Sequence, residues 1–196
     1  MQITLMRHGK PQLPENGWVT PRGMKQWIEN YNNSDVETDS IPHECFNAAV
    51  SAKLIATSTL KRAESSSKAL GRKVLMSDSV FSEAELPHAL WSAPYLPPKA
   101  WAVFFRLLWL CGYSRGVASH KTTRIRAKAA AHQLILAAND GPVLLVGHGV
   151  MNRYIGKELR TLGWTAVCRH DNCHWGIGVY RITSADSGGV ATDPLT

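Results

Sequence analysis

Two histidines in this chain stand at the same kind of place. Leu5-Met6-Arg7-His8-Gly9 and Val146-Gly147-His148-Gly149 each close an apolar run with a histidine that glycine follows. A glycine there permits an unusual backbone angle or a close approach to a ligand. Arg7 precedes the first histidine, and Arg62 lies just beyond Ser58-Thr59, where a helix begins. A helix start offers free amides and a positive dipole end, which suit a phosphate. The segment Ser82-Glu83-Ala84-Glu85 adds a carboxylate. These side chains form a set for phosphoryl transfer. Guanidinium forks hold a phosphoryl group in bidentate fashion and stay charged at any working pH. A neutral imidazole can attack phosphorus and divide one displacement into two. The second histidine and the arginines can stabilise charge on the transferring group. A protonated glutamate can donate to the leaving oxygen and, as its carboxylate, later activate water. Such a set calls for no metal and no cofactor.

The elements that must carry these residues alternate between strand and helix. Residues 2–6 read as a strand, 53–57 as a second, 74–76 as a third and 143–146 as the clearest of all, with a last strand over 175–182. Helices are expected from Thr20-Pro21 (a capping hydroxyl and a proline at the first position), over 60–70 up to Gly71, over 100–113, over 120–138 and over 150–162. In the helix over 120–138, Ile125, Ala129, His132, Leu134 and Leu136 are expected to face the core. Residues 32–40 read as a surface loop and 79–85 as a weak extended piece. The alternation implies an α/β fold, a largely parallel sheet with helices on both faces. Ligands of such sheets bind beyond the carboxyl ends of the strands, which is where both histidines fall.

The chain has 196 residues, 44% apolar and 19% charged, which suits one folded domain. Lys and Arg number 22 against 15 Asp and Glu, a net +7 that is compatible with an anionic partner. No apolar run has the ~18–20 residues of a membrane span, and Arg7 and His8 interrupt any N-terminal leader pattern. Four scattered cysteines do not make a disulfide scaffold, so a reduced, cytoplasmic setting is expected.

Taken in order, Leu5-Met6-Arg7-His8-Gly9, Ser58-Thr59-Leu60-Lys61-Arg62-Ala63, Phe81-Ser82-Glu83 and Gly147-His148-Gly149 resemble the histidine phosphatase superfamily, also called phosphoglycerate mutase-like. The resemblance spans about residues 2–182. It implies a three-layer α/β/α sandwich with a mostly parallel central sheet, a phosphohistidine intermediate at His8, and a phosphate pocket of Arg7, Gly9, Arg62 and His148, with His148 also catalytic. It implies Glu83 as the general acid, because a large apolar residue often stands two positions earlier, as Phe81 does here. On the residues alone, Glu85 competes with Glu83, since the two lie on the same side of an extended chain. Pro11 occupies a position where many members carry a hydroxyl, and Leu13-Pro14 and Leu86-Pro87 replace pairs found in the cofactor-dependent mutases. A phosphomonoester phosphatase is therefore expected over a mutase. A phosphoprotein phosphatase with the same site, or a phospho-ligand-binding module with degraded chemistry, are the other readings.

Three further groups have plainer explanations. Cys168, His170, Cys173 and His174 do not follow a usual zinc-ligand spacing. Lys121, Arg124, Arg126 and Lys128 read as a solvated helix face, without the aromatic interleaving of a nucleic-acid surface. The tryptophans between Trp91 and Trp109 suggest that residues near 87–118 form a lid or insertion over the pocket. The expected organisation is a single domain over 1–183 with a flexible tail over 184–196. Its partner would be a phosphorylated small molecule or phosphoprotein, with neither nucleic acid nor membrane involved.

Overall fold

A computed structural model describes residues 1–13, 17–168 and 173–182. Six strands form one sheet, in the order β3-β2-β4-β1-β6-β5. They are β1 Gln2–Arg7, β2 Leu54–Thr57, β3 Met76–Ser77, β4 Val143–Gly147, β5 Thr165–Cys168 and β6 Ile177–Arg181. The pairs β1/β4, β4/β2 and β2/β3 are parallel, while β6 runs antiparallel to both β1 and β5. The mostly parallel sheet expected from the alternation is thus present, with β6 as the reversed member.

Strand periodicity then builds the layers. Ile3, Leu5, Val143 and Leu145 point to one face, where α5 (His120–Ala138) and α6 (Gly149–Thr161) pack through Ala127, Ala131, Leu134, Met151 and Ile155. Met6, Leu144, Val146 and Ile55 point to the other, against Cys45 and Ala49 of α2 (His43–Ser51) and Leu70 at the end of α3 (Lys61–Ala69). The result is a three-layer α/β/α sandwich. Two more helices lie over the carboxyl edge of the strands. Met24 of α1 (Met24–Asn32) is buried with Ala89 and with Trp101 and Phe105 of α4 (Pro98–Leu110) in a separate cluster.

Several expectations shift. The first helix begins at Met24, and Thr20 instead closes the preceding turn, its hydroxyl accepting from the Gly23 amide at 3.0 Å. Residues 79–81 form a 3-10 turn capped by Asp78, not an extended piece. On α5 the buried line is Thr123, Ala127, Ala130, Ala131, Leu134 and Ala138, whereas Ile125 and Leu136 are 64% and 68% exposed and Ala129 and His132 also face solvent. Small side chains fill most of that line, with Leu134 its one large apolar member, while Ile125 and Leu136 are turned outward. Among the described residues, no helix is long and apolar enough to cross a membrane. The tail over 184–196 and His170 lie outside the described residues.

Candidate active site

The strand order brings the carboxyl ends of β1, β4 and β2 side by side. The Arg7 position pairs with Gly147 across the ladder, and the His8 amide donates to the Gly147 carbonyl at 2.9 Å. His8 and His148 therefore leave adjacent strands together, and their rings lie 5.1 Å apart. Both are buried, at 2% and 0% exposure.

The tautomer of His8 is set by the main chain beside it. Nδ1–H of His8 donates to the Gly9 carbonyl at 2.8 Å, which leaves Nε2 as the edge with a lone pair. That edge accepts from Nε of Arg62 at 3.2 Å. Burial, and then the Arg62 charge, holds His8 well below its ordinary pKa, so the ring is neutral. Nε2 of His148 lies 2.6 Å from Ser58 Oγ, a hydroxyl that also accepts from the Leu60 amide at 3.3 Å. Nδ1 of His148 is buried and has no hydrogen-bond partner among the described residues. Burial and Arg62 likewise push the His148 pKa well down.

Gly9 has no positive φ; close approach explains it instead. A Cβ built on Gly9 would stand 2.5 Å from Cζ2 of Trp175. The Gly9 amide donates to Ser66 Oγ at 2.9 Å, tying β1 to α3 just below Arg62. Arg7, the last residue of β1, reaches the start of α6, where its Nε would be 3.5 Å from a Cβ on Gly149.

Glu83 and Glu85 separate clearly. The Glu83 carboxylate sits at the N-terminus of α6 and accepts from the amides of Met151 (3.0 Å), Val150 (3.3 Å) and its own neighbour Ala84 (2.9 Å). Glu85 is exposed and turns to the Ala118 amide at 3.4 Å. The segment bearing them is held by two arginines that no sequence motif marks. Arg126 donates to the carbonyls of Ser82 (2.8 Å), Glu83 (3.1 Å) and Ser79 (3.2 Å), and Arg106 to that of Ala84 (2.8 Å). Arg126 is thus removed from the expected solvated face, on which Lys121, Arg124 and Lys128 remain. Burial lowers the pKa of both arginines.

His174 also belongs here. Its Nδ1–H donates to the His8 carbonyl at 3.3 Å, its ring lies 5.4 Å from that of His8, and burial, with Arg7 nearby, brings its pKa down to about 4. Cys168 and Cys173 are exposed.

A cleft of about 1850 Å³ opens on this edge, with Arg7, His8, Arg62, Glu83, Arg126 and His174 at its polar end. His148 lies behind them, outside the lining. Helix α4 walls the cleft through Val103, Arg106 and Leu107, and α1 through Trp27 and Ile28. The tryptophans of the expected lid are placed otherwise. Trp101 and Trp109 are buried, Trp91 is exposed, and none of the three lines the cleft.

No protein-family model matches the sequence, and no curated protein matches it. Solved structures do. The product of an open reading frame of Mycobacterium tuberculosis shares 16% identity, with 91% of this chain and 89% of that one covered at a TM-score of 0.58. A mycobacterial glucosyl-3-phosphoglycerate phosphatase shares 19% identity over 81% of this chain and 78% of its own, with a TM-score of 0.53. YhfR from Bacillus stearothermophilus shares 16% identity over 82% and 80%, with a TM-score of 0.54. The architecture of this chain is accordingly the phosphoglycerate mutase-like one.

Proposed function

We propose that this chain is a histidine phosphatase that hydrolyses a phosphomonoester without a metal ion, by way of a phosphohistidine at Nε2 of His8. The observation that carries the proposal is the His8–Arg62 pair. A neutral imidazole presents its lone pair toward a guanidinium at 3.2 Å, beside a second neutral histidine and at the polar end of a cleft. A phosphoryl group entering that end meets a nucleophile on one side and fixed positive charge on the other. The phosphatase among the structural neighbours, named for a phosphorylated sugar acid, adds support for a phosphorylated small molecule as substrate.

In the first step the Nε–H hydrogen bond of Arg62 passes from Nε2 of His8 to a phosphoryl oxygen, the freed Nε2 lone pair bonds to phosphorus, and the ester P–O bond breaks. Arg7, Arg62 and, in its Nδ1–H tautomer, His148 take the charge on the phosphoryl oxygens, and the leaving oxygen receives a proton from Glu83. In the second step water attacks phosphorus, the Glu83 carboxylate accepts its proton, and the N–P bond breaks. Phosphate leaves and His8 is neutral again. Gly9 contributes by close packing, because its amide is engaged by Ser66. Group transfer to a second substrate, as a mutase requires, is not part of this assignment.

One observation favours the second reading, a phospho-ligand-binding module. The Glu83 carboxylate accepts from three amides, and a carboxyl must be protonated to serve as an acid. Hydrolysis of p-nitrophenyl phosphate and of an alkyl phosphate, both with chelator present, separates the readings. The phosphohistidine route requires activity that survives chelator and vanishes in His8→Ala. In Glu83→Gln the alkyl ester is expected to lose about 10²–10⁴-fold, and the aryl ester far less because its leaving group needs no proton. Tight vanadate binding by a folded protein that hydrolyses neither ester would establish the binding module instead.

A further inference from the structure

We propose that Tyr31 and Asn32, on the last turn of α1, are positioning residues for Arg62, so that a helix walling the cleft also sets the guanidinium that meets the phosphoryl group. This rests on the phosphatase reading and extends it to two residues outside every motif that suggested the site.

Arg62 is 2% exposed, and a guanidinium so buried needs partners on all sides. Its Nε is directed to Nε2 of His8 at 3.2 Å. Its Nη1 donates to Oδ1 of Asn32. Its flat face lies on the ring of Tyr31, with Cζ 4.8 Å from the ring centroid, a cation–π contact. Tyr31 is in turn stacked on Trp27, one turn earlier on α1, with centroids 5.1 Å apart. Trp27, Tyr31 and Asn32 all line the cleft. The hydrogen bonds and the stacking contact that orient the guanidinium are therefore all made with neutral groups. A carboxylate at the Asn32 position would orient Arg62 equally well but would neutralise it before any phosphate arrived. An amide oxygen and an aromatic face fix the plane of the guanidinium and leave its charge for a dianion. Because Asn32 and Trp27 share one helix, a molecule bound against Trp27 presses on the same helix that holds Arg62.

The test uses the full chain and orthovanadate, with inhibition constants measured for wild type, Asn32→Ala, Asn32→Asp, Arg62→Ala and the double variant Asn32→Ala/Arg62→Ala. KM and kcat for p-nitrophenyl phosphate are measured alongside. Loss of a hydrogen bond to a charged group is expected to weaken vanadate about tenfold or more in Asn32→Ala and to raise KM. Asn32→Asp is expected to weaken vanadate at least as much while its melting temperature is kept or raised, because the acceptor remains and only the charge has changed. In the Arg62→Ala background the Asn32 change should have no further effect. An equal loss in both backgrounds, or unaltered vanadate affinity in Asn32→Asp, would overturn the proposal. Should Asn32→Ala fail to fold, Asn32→Asp and Tyr31→Leu carry the same comparison. If wild type binds neither vanadate nor phosphate and Arg62→Ala changes nothing, the phosphatase reading itself fails, and the positioning role with it. If Arg62→Ala alone weakens vanadate, only the positioning role falls.

Discussion

Arg126 shows what a single side chain's neighbours decide that its sequence context cannot. In the sequence it is one of four cations on a basic helix, next to Arg124 and Lys128, and nothing in that pattern distinguishes it. In the fold, its guanidinium holds the carbonyls of Ser79, Ser82 and Glu83, and so fixes the segment that carries the candidate acid. Backbone carbonyls of a loop leave no trace in residue type, which is why this partner was illegible. His8, His148, Arg7 and Arg62 were legible because strand ends, glycines and a helix start announce themselves locally. Glu83 was distinguished from Glu85 only by resemblance, and the amides at the start of α6 supply the physical distinction. Replacing Arg126 with Leu leaves the Ser82 and Glu83 carbonyls without a donor, while that of Ser79 keeps the Ser82 amide, and is expected to destabilise the fold by about 2 kcal/mol. It should also release Glu83, so kcat for an alkyl phosphate falls more than kcat for an aryl phosphate. Arg126→Lys, a point charge without the fork, should recover little of this. Equal losses on both esters would show that Arg126 supports the fold without positioning the acid.

The elements that the sequence made plain are those with strong punctuation. Helix α3 ends at Gly71, whose φ of 69° suits glycine, and α5 begins at Ser119, whose hydroxyl accepts from the Thr122 amide at 3.1 Å. Helix α2 is hard to read from the sequence because its buried stripe, Cys45, Ala48, Ala49 and Ala52, is made of small side chains. Strand β5 is also hard to read, because Thr165, Val167 and Cys168 are exposed and alternation is lost. The turn after β1 depends on an element far along the chain. Trp175 packs over Gly9, and its amide donates to the Arg7 carbonyl at 3.2 Å. An alanine at position 9 would have to displace an indole ring that is 5% exposed. Gly9→Ala is therefore expected to cost about 1–3 kcal/mol, the usual range for overpacking, and to move His8 relative to Arg62. Activity should drop by more than tenfold, and Trp175→Ala should cost less stability in the Gly9→Ala chain than in wild type, because the clash it relieves offsets part of the lost packing. A Gly9→Ala protein with unaltered melting temperature and kcat would mean that Trp175 yields freely.

At the scale of the whole molecule, stability becomes coupled to pH through the same groups that form the site. His8, His148 and His174 are all held below the ordinary imidazole value of 6.5, mainly by burial, and His174 reaches about 4. On unfolding each regains its ordinary affinity for protons. Between pH 6.5 and its folded-state value, each imidazole binds more protons in the unfolded chain, so stability rises with pH there. The contribution is complete above about pH 6.5 and is lost as pH falls through the folded-state values. Each fully buried ring can add a slope of up to about 1.4 kcal/mol per pH unit, and the partly exposed His174 adds less. Urea-unfolding midpoints are thus expected to change little between pH 7.5 and 6.5 and to fall clearly by pH 5.5, with a shallower fall in His174→Asn. The net charge of +7 supplies a competing cause, since carboxylate protonation in acid increases self-repulsion. Salt separates the two. In 1 M salt the screening length shrinks to about 3 Å, which suppresses repulsion between surface charges but not the cost of charging a buried ring. A fall that persists in salt and shrinks in His174→Asn assigns the effect to the site. A fall abolished by salt would assign it to net charge and separate the chemistry of the site from the stability of the fold.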